Sequence, residues 1–96
     1  MELIFDGYRL AESGGRGVKF LGHYIGANSQ EQFVICRVTR SVLESLVKRD
    51  LATAAELVAA YSRESTRINQ SASAQFSSGI ERPEVTRILA NGQTDN

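Results

Sequence analysis

Residues 18–39 read VKFLGHYIGANSQEQFVICRVT, and this stretch decides the fold. Its two flanks, 18–25 and 33–39, are rich in β-branched and aromatic residues, which is typical of β-strands. The polar connection 26–32 is too short to hold a crossover helix. The sequence therefore predicts an antiparallel hairpin.

The pairing of this hairpin decides which side chains face the core. A register that pairs Ile25 with Val34 places one alternating set on a single face, and one face of an antiparallel sheet is commonly buried. The set predicted to face the core is Leu21, His23, Ile25, Val34, Cys36 and Val38. The set predicted on the other face is Phe20, Tyr24, Ile35, Arg37 and Thr39.

A short helix is predicted directly after the hairpin. Ser41 and Glu44 have the spacing of a capping box, in which each side chain satisfies the backbone NH of the other residue. The apolar residues that follow predict a helix over 42–49, with basic residues at its negative end.

A longer helix is predicted from a second capping box at Thr53 and Glu56 to about Ser78, with Gly79 as its terminator. Apolar and small residues recur on one face at helical spacing. They are Leu57, Val58, Tyr61, Ile68, Ala72 and Phe76.

The remaining segments complete an α+β domain. Residues 2–5 are predicted as a possible edge strand, 11–17 as a glycine-rich loop, 84–90 as a last strand and 91–96 as a tail. The predicted architecture is a small antiparallel sheet, made of the hairpin, the C-terminal strand and the N-terminal edge strand. One short and one long helix pack on one face of this sheet. Residues 1–96 are expected to form a single domain with an ordered core over 2–90.

The charge balance and the small number of Cys and His residues disfavour several classes of function. The 96 residues include eleven basic and eleven acidic side chains, a balance that disfavours a dedicated nucleic-acid or membrane-surface binder. With one Cys and one His, the chain has neither an internal disulfide nor a closed zinc site built from those residue types. We find no signal peptide or membrane span, and we expect a cytoplasmic protein without cofactor or metal.

A series of short segments between residues 16 and 90 forms a recognisable pattern. They are Arg16-Gly17-Val18-Lys19-Phe20, an aromatic-rich strand ending near Gly26, Cys36-Arg37-Val38-Thr39, Ser41-x-Leu43-Glu44, Leu57-Val58-Ala59-Ala60-Tyr61, Arg67-Ile68, Ala72 and Phe76-Ser77-Ser78-Gly79. In this order they resemble a family of small bacterial proteins, domain-of-unknown-function family 1488. The sequence departs from the family pattern in its long 26–32 turn and its tail. The resemblance implies a compact α+β fold with two helices and no known activity, substrate or cofactor. No catalytic, cofactor-binding or metal-binding residue follows from it.

His23 and Cys36 are the only candidates for a nucleophile and its base. The predicted pairing brings them together on one face. Their neighbours there are apolar, however, and a dry environment raises a thiol pKa and leaves it inert. The sequence therefore favours a structural role, with Cys36 buried and unreactive, over an enzyme.

Two further segments have a chemical alternative. Residues 13–17 (SGGRG) could cradle a phosphate, but they precede a strand, whereas phosphate loops lead into a helix. Residues 37–67 hold six basic and four acidic side chains, a weak basis for a nucleic-acid patch. Interleaved acids favour a salt-bridged surface instead.

The length of the second helix suggests self-association. A continuous helix over 54–78 would be about 37 Å long, more than the roughly 32 Å diameter of a compact domain of this size. Its far end, with Ile68, Ala72 and Phe76, would project into water. A symmetric pairing of two long helices, or an exchange of the final strand between subunits, would cover it. We therefore expect a homodimeric interaction or accessory module. A weak nucleic-acid-binding or regulatory protein is the alternative, and a break near Asn69 would leave a monomer.

Overall fold

The computed structural model describes residues 3–87, which form a four-stranded sheet and three helices. The strands follow the order β1-β2-β3-β4 across the sheet and are β1 (Ile4–Ala11), β2 (Gly17–Ile25), β3 (Glu31–Thr39) and β4 (Glu84–Val85). The helices are α1 (Arg40–Val47), α2 (Ala54–Arg63) and α3 (Ser65–Ser77). The predicted α+β class is confirmed.

The sheet is mixed, because β4 runs parallel to β3 while the other neighbours are antiparallel. The prediction of an antiparallel last strand was wrong. The three helices between β3 and β4 form a crossover, after which Glu84 and Val85 pair with Arg37 and Val38 near the C-terminal end of β3. Of the predicted strand 84–90, Glu84–Val85 is a strand, whereas 88–90 lie outside the described residues. Residue 2 and the predicted tail 91–96 also lie outside them.

The hairpin forms as predicted but in a different register. Phe20 pairs with Cys36 and Leu21 with Ile35, three residues away from the predicted pairing. A five-residue turn causes this shift: the amide of Gly26 donates to the carbonyl of Gln30 at 2.8 Å, and β3 therefore starts two residues earlier than expected.

An odd shift in register exchanges the two faces of one strand relative to the other. On β3, Val34, Cys36 and Val38 face the core as predicted. On β2 the prediction was wrong. Val18 and Phe20 face the core there, with the half-buried Tyr24 packed against it, while Leu21, His23 and Ile25 lie on the outer face.

The helices cover one face of the sheet, as the sequence predicted, and the core lies between the two layers. The ring of Phe20 packs on Tyr61 of α2 at 4.9 Å between centroids, and Tyr24 packs on Phe76 of α3 at 5.2 Å. The fully buried side chains come from every layer and include Val18, Val38, Leu43, Leu51, Leu57, Ile68 and Val85.

Helix α1 begins two residues before its predicted start. Its N-cap is Thr39, whose hydroxyl accepts the amide of Val42, and the predicted cap Ser41 already lies within the helix. Because Thr39 ends β3 in an extended conformation, it can cap α1 directly. Glu44 does not close a capping box. It accepts the amide of Leu51 at 2.9 Å and fastens the loop after the helix.

The predicted long helix is two helices. The capping box at Thr53 and Glu56 is confirmed, but helical geometry is interrupted at Glu64 (φ −106°, ψ 17°). The hydroxyl of Tyr61 in α2 donates to Asn69 of α3 at 2.7 Å across this break.

The break removes the geometric basis for the predicted dimer contact. Beyond the break, Ile68 and Ala72 of α3 are completely buried within one chain and Phe76 is half-buried. The predicted pairing through this helix stripe was wrong. Homodimerisation itself is not tested by this observation.

The outer edge of β4 is occupied by a side chain. The amide group of Gln75 in α3 donates to the carbonyl of Glu84 at 3.0 Å and accepts the amide of Glu84 at 2.9 Å. The backbone amide of Arg37 in β3 donates to the carbonyl of Pro83, the residue before Glu84, at 3.0 Å. Glu84 therefore directs its backbone groups away from β3, towards Gln75.

Candidate interaction surface

The sheet face opposite the helices carries no covering element within residues 3–87. We call it the open face. Its side chains follow from the strand register, because directly paired residues point to the same side. They are Ile4 and Leu10 from β1, Lys19, Leu21, His23 and Ile25 from β2, and Phe33, Ile35 and Arg37 from β3.

The open face is unusually apolar for a surface in contact with water. An antiparallel sheet with one solvated face normally places polar residues there. Here large apolar side chains are more than half exposed, and Tyr8 borders the same face at its β1 edge. The exposed fractions are Ile4 54%, Tyr8 73%, Leu10 70%, Ile25 56%, Phe33 59% and Ile35 54%.

A β-bulge shapes the β1 edge of this face. The pairing of β1 with β2 is interrupted between Phe5 and Arg9, where Gly7 adopts a positive φ of 87° that glycine tolerates best. Beyond the bulge, a shallow depression of about 210 Å³ opens among Tyr8, Leu10, Lys19, Leu21 and Ile35, with Arg9 and Phe20 at its border. The centre of the open face is thus slightly concave.

One end of the open face is acidic. His23 Nε2 lies 2.9 Å from Asp6 Oδ2, and His23 Nδ1 lies 3.2 Å from Glu31 Oε2. Neither contact has the alignment of a hydrogen bond. The ring of Phe33 lies 6.1 Å from the imidazole. We call Asp6, His23 and Glu31 the acidic end, because two carboxylates surround one imidazole.

The other end of the open face carries two basic residues, Lys19 and Arg37, which are directly paired. Arg37 holds Glu12 with two hydrogen bonds of 2.7 and 3.1 Å and also contacts Glu84. The hydrogen bond from Arg37 lowers the pKa of the Glu12 carboxyl. Lys19 makes no ion pair within the described part of the chain. We call Lys19 and Arg37 the basic end; Glu12 and Glu84 offset the charge of Arg37, so Lys19 carries the positive charge that is not paired among residues 3–87.

The predicted nucleophile and base are not brought together. Cys36 points into the core, where it is 1% exposed, and His23 lies on the open face. Burial raises the pKa of the Cys36 thiol to about 12. The predicted burial of Cys36 is confirmed, and its low reactivity remains a prediction.

The other predicted sites are also accounted for. Ser13–Gly15 form a short 3-10 turn that leads into β2 and not into a helix. Across residues 3–87 there is no cluster of three or more His, Cys, Asp or Glu side chains that could hold a metal ion, and no helix long and apolar enough to cross a membrane. Most arginines of the predicted basic segment pair with acids. These pairs are Arg37 with Glu12 and Glu84, Arg40–Glu44, Arg49–Glu56, and Arg63 and Arg67 with Glu64.

The open face was missed by sequence reasoning, although a signal for it was present. Residues 33–36 read Phe-Val-Ile-Cys, a continuous apolar run and not an alternating one. Such runs are typical of strands that are covered on both faces. The single-face assignment treated Ile35 as an ordinary surface residue.

Comparison with known proteins identifies the fold. No family model matches the sequence, and no curated protein matches it. The structure matches the crystal structure of a protein of unknown function from the DUF1488 family of Shewanella loihica PV-4. The match has a TM-score of 0.75 and 14% sequence identity, and covers 90% of this chain and 93% of that chain. The chain has the DUF1488 fold.

The resemblance to family 1488 is therefore confirmed at the level of the fold. At 14% identity the likeness extends no further than the fold. The DUF1488 protein of S. loihica is itself described as a protein of unknown function. For the DUF1488 fold in this chain, a function has to be argued from the surface described above.

Proposed function

We propose that this protein is a non-enzymatic interaction module that self-associates as a homodimer, and that the open face is its contact surface. The observation that carries the proposal is the row of large apolar side chains, Phe33 and Ile35 above all, that the fold leaves exposed. Removing such surface from water is the main driving force of protein association.

The size of the open face supports this assignment. With about 200 Å² for each large side chain, the exposed fractions correspond to on the order of 700 Å² of apolar surface. The largest apolar patch on a typical monomer is about 300–600 Å². A standard interface buries about 800 Å² on each partner, so one open face is close to one side of such an interface.

The chemistry of the chain supports a module without catalysis. Its one thiol, Cys36, lies on the opposite side of the sheet from its one imidazole, His23. The arginine–glutamate pairs on the helices reduce the basic surface available to phosphates, which favours a protein partner over nucleic acid. A single unpaired cysteine also suits a reducing compartment, and we propose a cytoplasmic location.

Static light scattering at about 50 µM tests the proposal. We expect a mass of twice 10.5 kDa for the unaltered protein. Phe33→Asp should shift the protein to a monomer, because it replaces one of the large exposed apolar side chains of the open face with a charge. Ile80→Asp is the matched control, since Ile80 is a 40%-exposed apolar residue outside the sheet.

Circular dichroism should show that both variants are folded. A mass near 10.5 kDa for the unaltered protein would refute self-association. Dissociation by Ile80→Asp, with a stable Phe33→Asp dimer, would move the contact away from the open face.

A further inference from the structure

We infer that the partner on the open face is a second copy in antiparallel alignment, with the acidic end of each sheet over the basic end of the other. This inference rests on the proposed function, because it assumes that the open face is the dimer contact. It adds the orientation of the two sheets and the charges that select it.

Symmetry leaves two simple ways to stack identical open faces. Most homodimers have a twofold axis, and for two facing sheets this axis lies in the plane between them. If the axis runs along the strands, like ends of the two sheets overlap. If it runs across the strands, opposite ends overlap.

The charges distinguish these alignments. Overlap of like ends would bring two copies of Asp6 and Glu31 together, four carboxylates against two imidazoles, in a region that loses water on association. Like charges facing each other across an interface are strongly disfavoured. Overlap of opposite ends places Lys19, which has no ion pair among residues 3–87, over the acidic end of the partner.

The apolar residues fit the same alignment. Leu21 and Ile35 are direct partners near the middle of the open face, so an axis across the strands would pass close to them. On β1, Ile4 pairs with His23 and Leu10 pairs with Lys19, two positions to either side of that middle. Rotation about the axis therefore brings Ile4 over the partner's Leu10, an apolar contact in both directions.

The remaining pair across the axis is also favourable. Phe33 lies two positions from Ile35 on one side, and Arg37 lies two positions away on the other. The rotation places Phe33 over the partner's Arg37, and a guanidinium on an aromatic ring is an attractive contact. The two sheets would stack about 10 Å apart with strand directions within about 30° of antiparallel, the usual packing of aligned sheets.

A distance between the hairpin turns tests the alignment. Asn28 is exposed in the turn between β2 and β3, and Asn28→Cys accepts one spin label while Cys36 stays buried. The turn lies four residues and part of a loop beyond Leu21. At about 3.3 Å per residue, the antiparallel alignment predicts labels roughly 30–45 Å apart in the dimer. Overlap of like ends places both turns at one end, less than about 25 Å apart.

Charge exchange gives a second readout. Lys19→Glu should weaken dimerisation about tenfold, because it places a carboxylate over the partner's acidic end. Adding Glu31→Lys to this variant should restore the dissociation constant to within about threefold. Arg82→Glu, which changes an exposed charge outside the sheet, should leave it unchanged.

The outcomes separate this inference from the proposed function. A monomeric parent protein would overturn both. A dimer with a short distance between labels would overturn the antiparallel alignment and keep the open face as the contact. A long distance without rescue by Glu31→Lys would overturn the pairing of Lys19 with the acidic end.

Discussion

Among the glycines of residues 3–87, Gly17 leaves the least room for a side chain, and Gly17→Ala should be strongly destabilising. Gly17 is the first residue of β2 and pairs with Thr39, the residue that ends β3 and caps α1. An added methyl group would overlap the backbone carbonyl of Val38 and lie 3.1 Å from the Cα of Thr39. Backbone atoms cannot rotate away as a flexible side chain can.

The cost follows from the movement that the methyl group requires. A carbon–oxygen contact is normally at least about 3.3 Å, so β2 and β3 must separate by roughly 1 Å at this end. Overpacking costs about 1–3 kcal/mol. The separation also strains two backbone hydrogen bonds, from Glu12 to Gly17 and from Arg40 to Arg16, each 2.9 Å long and each worth about 1 kcal/mol.

Alanine has less conformational entropy than glycine in the unfolded chain, and this offsets up to about 1 kcal/mol of the lost stability. The net expectation is a loss of about 2–3 kcal/mol in the free energy of unfolding. For a chain of this size, that corresponds to a melting temperature lower by roughly 10–20 °C.

Thermal and urea unfolding, followed by circular dichroism, measure this effect. Gly26→Ala is the matched control, because a methyl group there would lie 3.5 Å from its nearest neighbours, an ordinary contact. We expect this control to change stability by less than about 1 kcal/mol. If Gly17→Ala is as stable as Gly26→Ala, the close approach of β2 to β3 described above is incorrect.

Three further predictions concern single residues. Cys36 should react with iodoacetamide at pH 7.5 only as fast as the protein unfolds, because burial raises its pKa to about 12, and labelling of the folded protein within minutes would contradict this. Thr53→Ala should lower the free energy of unfolding by about 1 kcal/mol, because it removes the capping box of α2. Ser41→Ala should change it by less than about 0.5 kcal/mol, because Ser41 is not a cap. Equal effects of the two substitutions in urea titrations would contradict the assigned caps. The lowered pKa of Glu12 adds stability that is present above its unfolded value near 4.5 and is lost as the pH falls. In Glu12→Gln, the free energy of unfolding should therefore fall less steeply between neutral and acid pH. An unchanged pH dependence would argue against the contact between Glu12 and Arg37.

The sequence predicted the elements of the sheet better than their pairing. Hydrophobic runs located both hairpin strands to within two residues, because β-branched and aromatic residues mark strands directly. The register depended on the turn, where Ser29 adopts a positive φ of 60° and shortens the connection. No local pattern in a polar turn marks that conformation. The resulting error of three residues in register, an odd number, assigned the wrong face of β2 to the core.

The helices show the same division between local and distant information. The capping box at Thr53 lies within four residues and was predicted correctly. The interruption at Glu64 accompanies the burial of Ile68 and the bond from Tyr61 to Asn69, contacts that form only when the whole domain is folded. The parallel direction of β4 likewise follows from the path of the whole crossover and not from Glu84 or its neighbours.

The candidate surface was not predicted, although its residues are plain in the sequence. Whether Leu21 and Ile25 belong to the core or to the open face depends on the register of the hairpin alone. His23 and Cys36 illustrate the consequence, because the predicted register joined them and the actual register separates them by the thickness of the sheet.

The contact between Gln75 and Glu84 bears on how the protein avoids polymerising. A strand edge with free NH and carbonyl groups is a template on which further chains can add, as in fibrils. The Gln75 amide fills both positions at Glu84 as an adjoining strand would, and at the opposite edge the bulge in β1 disrupts the regular spacing that an added strand needs. Growth by successive strand addition is therefore hindered at both of these places, whereas one further copy is enough to cover the apolar open face. Gln75→Leu would remove both hydrogen bonds to Glu84 and leave the edge of β4 free. We expect this variant to form thioflavin-positive fibrils faster than the unaltered protein.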